Sequence, residues 1–147
     1  TIVDGDSLVA SRDKITNFSI ADGTNRSDTL DFDTATVGTL GTSVDFGVIK
    51  SHDITTGVAT FDDAAVHATA LVINSSNLAD VLGYIEQNTV ANNVIAFTYD
   101  STGSGAVDAT MIFHNDTLNS LVELVGITTA TSVATTNTTA AMIGIGA

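Results

Sequence analysis

The sequence predicts a mainly β fold: one domain, a β-sandwich or β-roll-like sheet with one or two short helices. Three observations point there. Short stretches rich in Val, Ile, Thr and Phe recur along the chain. Each is bounded by Gly, Asn, Asp or Ser, which must supply every turn because proline is absent. Only one segment carries a clear helical period.

Strands are expected first at "KITNFSI", "DTLDF", "VDFGVIK" and "GVATF", where β-branched and aromatic residues alternate with polar ones. The next segment, "AAVHATALVI", is ambiguous: its length permits a helix and its Val/Ile end a strand. "SNLADVLGYIEQN" then places Leu78, Val81, Leu82 and Ile85 at i, i+3, i+4 and i+7, which predicts an amphipathic helix packed on the sheet. Ser75, Ser76 or Asn77 would cap it. Beyond it, "NVIAFTY" and "AVDATMIFH" flank the Gly-containing turn "DSTGSG" and read as a β-hairpin in the middle of the sheet. "SLVELVGI" follows as a strand with Leu121, Glu123 and Val125 on one face. Thr128 to Thr139 is Thr-rich and reads as an irregular or edge segment before a last apolar stretch, "AMIGIG".

Size and charge narrow the function. A chain of 147 residues suits one domain and can bury about 70% of its unfolded surface. The 44% hydrophobic content supports a packed core. Four bases against 17 acids give a formal net charge of −13. Nucleic acids and anionic membranes call for basic patches, so neither is an expected partner. No stretch reaches the 18 or so apolar residues of a spanning helix, and no membrane insertion is expected. Cysteine is absent, which excludes disulfides and thiolate metal sites and suits the cytosol or a secreted protein folded around ions. With no initiator Met and no charged leader, the sequence reads as a piece of something longer.

The segment 1–33 is the acidic part. "VDGDS", "SRDKITN" and "ADGTNRSDTLDFD" bring Asp4, Asp6, Asp13, Asn17, Asp28, Asp31 and Asp33 close together in sequence, with Arg12, Lys14 and Arg26 the bases nearby. Repelling carboxylates destabilise a compact state unless bases, water or a cation neutralise them. Calcium takes six to eight oxygens from carboxylates, amide side chains and backbone carbonyls on turns. Residues two apart, as in Asp4/Asp6 and Asp31/Asp33, share a face of an extended chain, and Asp13 and Asn17 would do the same. The candidate ligands are Asp6, Asp13, Asn17, Asp28 and Asp31, and the candidate cofactor is Ca²⁺. The competing reading is ordinary solvated turn acids. No EF-hand loop is present.

These residues carry a resemblance. "TIVDGDSLVASRDKITNFSIADGTNRSDTLDF" resembles the segment that follows the calcium-binding nonapeptide repeats of RTX proteins, bacterial proteins exported by type I secretion. Asp6-Ser7 matches the family's acidic turn. Asp13, Ile15, Asn17 and Phe18 match D-x-I-x-D/N-F, and Asp28, Leu30, Asp31 and Phe32 match D-x-[IL]-D-[LF]. The stretch "VIAFTYDSTGSGAVDATMIFHNDTLNSLVELVGIT" is similar to the C-terminal ending of S-layer and other large surface proteins of this class. The Gly-Gly-x-Gly-x-Asp repeats themselves are missing, Asn17 stands where Asp is common, and Arg26 sits in the loop between the two motifs.

The resemblance implies a single C-terminal domain, 1–147, of a larger exported surface protein, with 1–33 as a calcium-turn segment and 34–147 as a β-rich body. It implies a non-catalytic role at the cell surface, with the type I secretion machinery, neighbouring domains or further copies as partners. The alternative is a ligand-binding β-sandwich, carbohydrate-binding or adhesive, with structural calcium. Against an enzyme stand the absence of a nucleophile elbow, P-loop or dinucleotide fingerprint and the wide separation of His52, His67 and His114. Glu86 and Glu123 are the only glutamates.

Overall fold

The structure, a computed structural model, describes residues 11–20, 28–32, 34–41, 43–137 and 142–147. Two sheets and one helix make a mainly β sandwich, as the sequence predicts. The chain runs β1 (Asp13–Ile15), β2 (Thr29–Asp31), β3 (Thr36–Val37), β4 (Ser51–Thr55), β5 (Val58–Asp62), α1 (Leu78–Asn88), β6 (Asn93–Tyr99), β7 (Ala109–Asn115), β8 (Ser120–Val125), β9 (Ser132–Asn137) and β10 (Met142–Gly146). The large sheet has the order β1-β8-β7-β6-β5-β4, with β3 also pairing β6. The small sheet has the order β2-β10-β9.

The central strands are long and apolar because both of their faces are covered. Alternate residues point to opposite sides. Ile95, Phe97, Tyr99, Met111, Phe113 and Leu121 meet Leu78, Val81, Leu82, Tyr84 and Ile85 of α1. Val94, Ala96, Ile112, Val122 and Leu124 meet Leu30, Phe32, Val133, Ile143 and Ile145 of the small sheet. Helix, large sheet and small sheet therefore form three layers with a core on each side of the middle one. Phe61 stacks edge-on against both Tyr84 and Phe97, each at 5.9 Å, a geometry that adds about 0.5–1.5 kcal/mol per pair to simple burial.

Local chemistry sets the connections. Register Thr55↔Val58 leaves the two-residue turn Thr56-Gly57, with φ of 48° and 78°. Positive φ at both positions matches the twist of an antiparallel hairpin. Gly57 is needed there twice over, since an added Cβ would also lie 2.7 Å from Val37 Cγ1. The β6–β7 hairpin forms as expected, Tyr99 opposite Ala109, although its connection runs over nine residues from Asp100 to Asp108.

Some expectations change. "VDFGVIK" is a turn, Phe46 bridging Ile49 around Gly47 (φ 56°), and the strand starts at Ser51. "AAVHATALVI" forms neither helix nor strand, apart from a single bridge made next to it by Asn74, because the Asp62 carboxylate takes the amides of Ala64, Ala68 and Thr69. Asn77 is the N-cap position of α1, yet its Oδ1 accepts from the Asn74 amide (2.8 Å) instead of capping the first turn. The Thr-rich segment keeps its expected place at an edge: it is in part β9, an edge strand of the small sheet.

Candidate functional site

Four of the five expected calcium ligands fall among the described residues; Asp6, like Asp4 and Asp33, lies outside them. Asp13 sits on β1, opposite Val122, with an exposed side chain. The extended run expected to carry Asp13 and Asn17 on one face stops at Ile15, and Asn17 has φ 60°. That left-handed turn, which Asn tolerates, rotates its side chain out of the strand's alternation. Asp28 is exposed and clasps Ser19 both ways: its Oδ2 accepts from the Ser19 amide (2.9 Å), and its own amide donates to the Ser19 carbonyl (2.8 Å). Asp31 lies on β2, opposite Met142 of β10. The candidates thus divide between the edge of the large sheet, the small sheet and the segment joining them. Among the described residues no three His, Asp or Glu side chains form a group that could hold a metal.

Among the described residues, the two bases near these acids, Arg12 and Lys14, are committed to Glu123. This glutamate is wholly buried in β8. Its Oε2 accepts from Arg12 Nε at 2.8 Å and its Oε1 from Lys14 Nζ at 3.0 Å. The register Lys14↔Glu123 places the lysine directly beside it. The Arg12 guanidinium also lies 5.3 Å over the Tyr99 ring, with Nη2 3.5 Å from the Tyr99 hydroxyl. Lys50 stands 3.7 Å from Asp45. The sequence hint at this cluster is slight: one glutamate inside "SLVELV", where every neighbour is apolar.

Other carboxylates are met by backbone amides. Asp62 accepts from Ala68, Thr69 and Ala64 at 2.8–3.0 Å, and these bonds hold its carboxyl far below the usual range. Burial pushes the Asp100 carboxyl up. The amides of Gly105, Ser104 and Gly103 and the Thr102 hydroxyl outweigh that and leave it lowered. Asp108 is lowered chiefly by the Ser101 amide at 2.7 Å. Asp80 of α1 takes the Val48 amide at 3.0 Å. Each acid pins a loop, so much of the charge is stabilised without a base or an ion.

One histidine joins a polar cluster. His52 Nδ1 lies 2.8 Å from the Tyr84 hydroxyl and 3.4 Å from Ser43 Oγ. Burial lowers the His52 pKa, and burial likewise raises that of Tyr84. A serine beside a histidine is the start of a nucleophilic pair. Here the tyrosine takes the nearer place, and the described surface holds no pocket beside it. His67 Nε2 pairs with Thr60 Oγ1 at 3.1 Å, and His114 stacks on Phe32 with ring centroids 4.9 Å apart. Comparison with protein-family models, with curated protein sequences and with solved structures gives no match.

Proposed function

We propose that this chain is a non-catalytic, calcium-stabilised C-terminal domain that serves export and assembly of a bacterial surface protein, S-layer-like or adhesin-like. The observation that carries the reading is how the charge is met. Arg12 and Lys14 are drawn onto Glu123, and the loop acids of the body are held by amides. Both cations of β1 and its approach are thus turned onto a carboxylate in β8 rather than onto the acidic N-terminal segment alone. Calcium, taking carboxylate, Asn and backbone oxygens on turns, is the ion that completes it at Asp6, Asp13, Asn17, Asp28 and Asp31.

In a low-calcium cytosol the segment repels itself and the domain stays loose enough for a type I secretion machine. Outside the cell, millimolar calcium binds only the folded form and stabilises it by mass action. The resemblance to the endings of RTX and S-layer proteins supports the location. Burial of Phe18, Phe32, Phe61, Tyr84, Phe97, Tyr99 and Phe113 leaves Phe46 as the one exposed aromatic, which argues against a sugar-stacking platform and hence against the ligand-binding alternative.

The test is export of a soluble reporter carrying this chain at its C-terminus, in cells with and without a type I machine. Reporter in the medium only when both chain and machine are present is the expected result. Reporter retained in the cells would overturn the export role.

A further inference from the structure

We infer that the edge of β8 is a strand-acceptor site and β1 its transferable occupant, so that copies of this chain link by seating β1 of one, with Arg12 just before it, on β8 of another.

The acceptor is selective. Half of the chain's four bases converge on one wholly buried carboxylate, one on each oxygen of Glu123. Arg12 and Lys14 are two apart, and residues two apart on a strand face the same side, so both reach Glu123 only in the register Lys14↔Glu123. A slip of one residue turns both cations away and leaves the carboxylate buried alone. The edge of β8 therefore reads a pattern, cation-x-cation in parallel orientation. The strand that matches it is this chain's own β1, which makes a second copy the fitting partner.

The occupant is detachable by construction. β1 is three residues long and, among the described residues, is the terminal strand of its sheet and pairs with β8 alone. No hairpin ties it there, because β8 lies more than a hundred residues further along the chain. At Asn17 the backbone turns left-handed, just before Phe18 enters the core between the sheets. That places a natural hinge between a strand that leaves and a residue that stays. Exchange reproduces the β1–β8 contacts in a second molecule, so apart from the hinge its equilibrium is set by concentration. The resident strand competes at an effective concentration of about a millimolar, and exchange is silent in dilute solution and favoured in a crowded surface array. This deepens the assembly reading and rests on it.

The chain has no cysteine, so disulfide trapping reports the contact cleanly. Asp13→Cys in one chain and Val122→Cys in another are mixed at ~1 mM total in a glutathione redox buffer. The expected product is a disulfide-linked heterodimer that disappears on hundredfold dilution. It rises about tenfold when the acceptor chain also carries Arg12→Met and Lys14→Met, which weaken its own strand. It falls to background when the donor chain instead carries Arg12→Met and Lys14→Met, because the acceptor's own strand then outcompetes it. The double variant Asp13→Cys/Val122→Cys in one chain reports the register through its intrachain disulfide. Closure of that bond with no heterodimer at either acceptor would show that β1 stays at home and overturn the proposal. Failure of the bond to close would overturn the register on which it rests. An equal yield from a Thr60→Cys acceptor, far from β8, would overturn it as non-specific. Calcium-dependent melting is read on the unsubstituted chain in dilute solution, where exchange is silent, so either result can fail without the other.

Discussion

Glu123 gives the sharpest energetic prediction, because the three members of its cluster differ so much in exposure. The glutamate side chain is 1% exposed, Arg12 21% and Lys14 56%. Removing one partner of a buried pair costs about 3–5 kcal/mol, since a charge is left without compensation. Arg12 keeps some contact with water, so Arg12→Met should sit at the low end, about 3 kcal/mol. Lys14→Met should cost no more than about 1 kcal/mol, as exposed pairs do. Glu123→Gln leaves two cations that can turn to solvent, and the amide oxygen still accepts one bond, so about 1–2 kcal/mol is expected. Replacing all three by Met removes every charge at once and should bring stability back to within about 1 kcal/mol of the native chain. For a chain of this size each kcal/mol moves Tm by roughly 2–4 °C. The assay is urea and thermal unfolding of the four variants at neutral pH and moderate salt. The reasoning fails if Glu123→Gln proves costlier than Arg12→Met, or if the triple variant is as unstable as the sum of the single ones.

The remaining predictions rest on the turns and on pH. Gly57→Ala places a Cβ 2.7 Å from Val37 Cγ1 at φ 78° and should cost about 1–3 kcal/mol, read as a lower urea midpoint at unchanged slope. Asp62, Asp100 and Asp108 have lowered pKa values in the fold, so the stability they add is present above the unfolded carboxyl pKa of about 4 and lost as pH falls below it. His52, lowered by burial, favours the neutral form in the fold; its contribution is complete above about pH 6.5 and shrinks as pH drops through that value toward its folded pKa. Stability against pH should therefore fall in two stages, below about 6.5 and again below about 4. His52→Gln should remove the first and leave the second.

The elements that were legible in the sequence are those whose signal is local. The stripe Leu78/Val81/Leu82/Ile85 gives α1, and the β-branched runs give β6, β7 and β8. Even there, polar-apolar alternation misleads, because Glu123 and Thr110 are as buried as their neighbours in strands covered on both faces. The parallel pairings of β1 with β8 and of β3 and β5 with β6 leave no local trace, since their partners lie far along the chain. Side chains that capture amides explain the largest departures: Asp62 holds 64–69 out of a helix, and Asn88 clamps Val44 by its amide and carbonyl beside the turn at Phe46. Asp, Asn and Ser compete with the backbone for its own hydrogen bonds, and which amide each takes is decided by the tertiary fold. The acidic N-terminal segment was legible as composition, whereas the pairing of its bases with Glu123 was not.

The most direct test of the account is thermal unfolding in EDTA, in about 5 mM Ca²⁺ and in equal Mg²⁺. A site of the extracellular class, with Kd near 0.1 mM, adds about 2.3 kcal/mol under these conditions, or roughly 5–9 °C in Tm for a chain of this length. The account predicts a rise of at least that size with calcium, little with magnesium, and loss of the rise in Asp13→Ala or Asp31→Ala. The same Tm in all three solutions would mean that the N-terminal carboxylates are turn acids met by water and amides, and calcium would have no part in this fold.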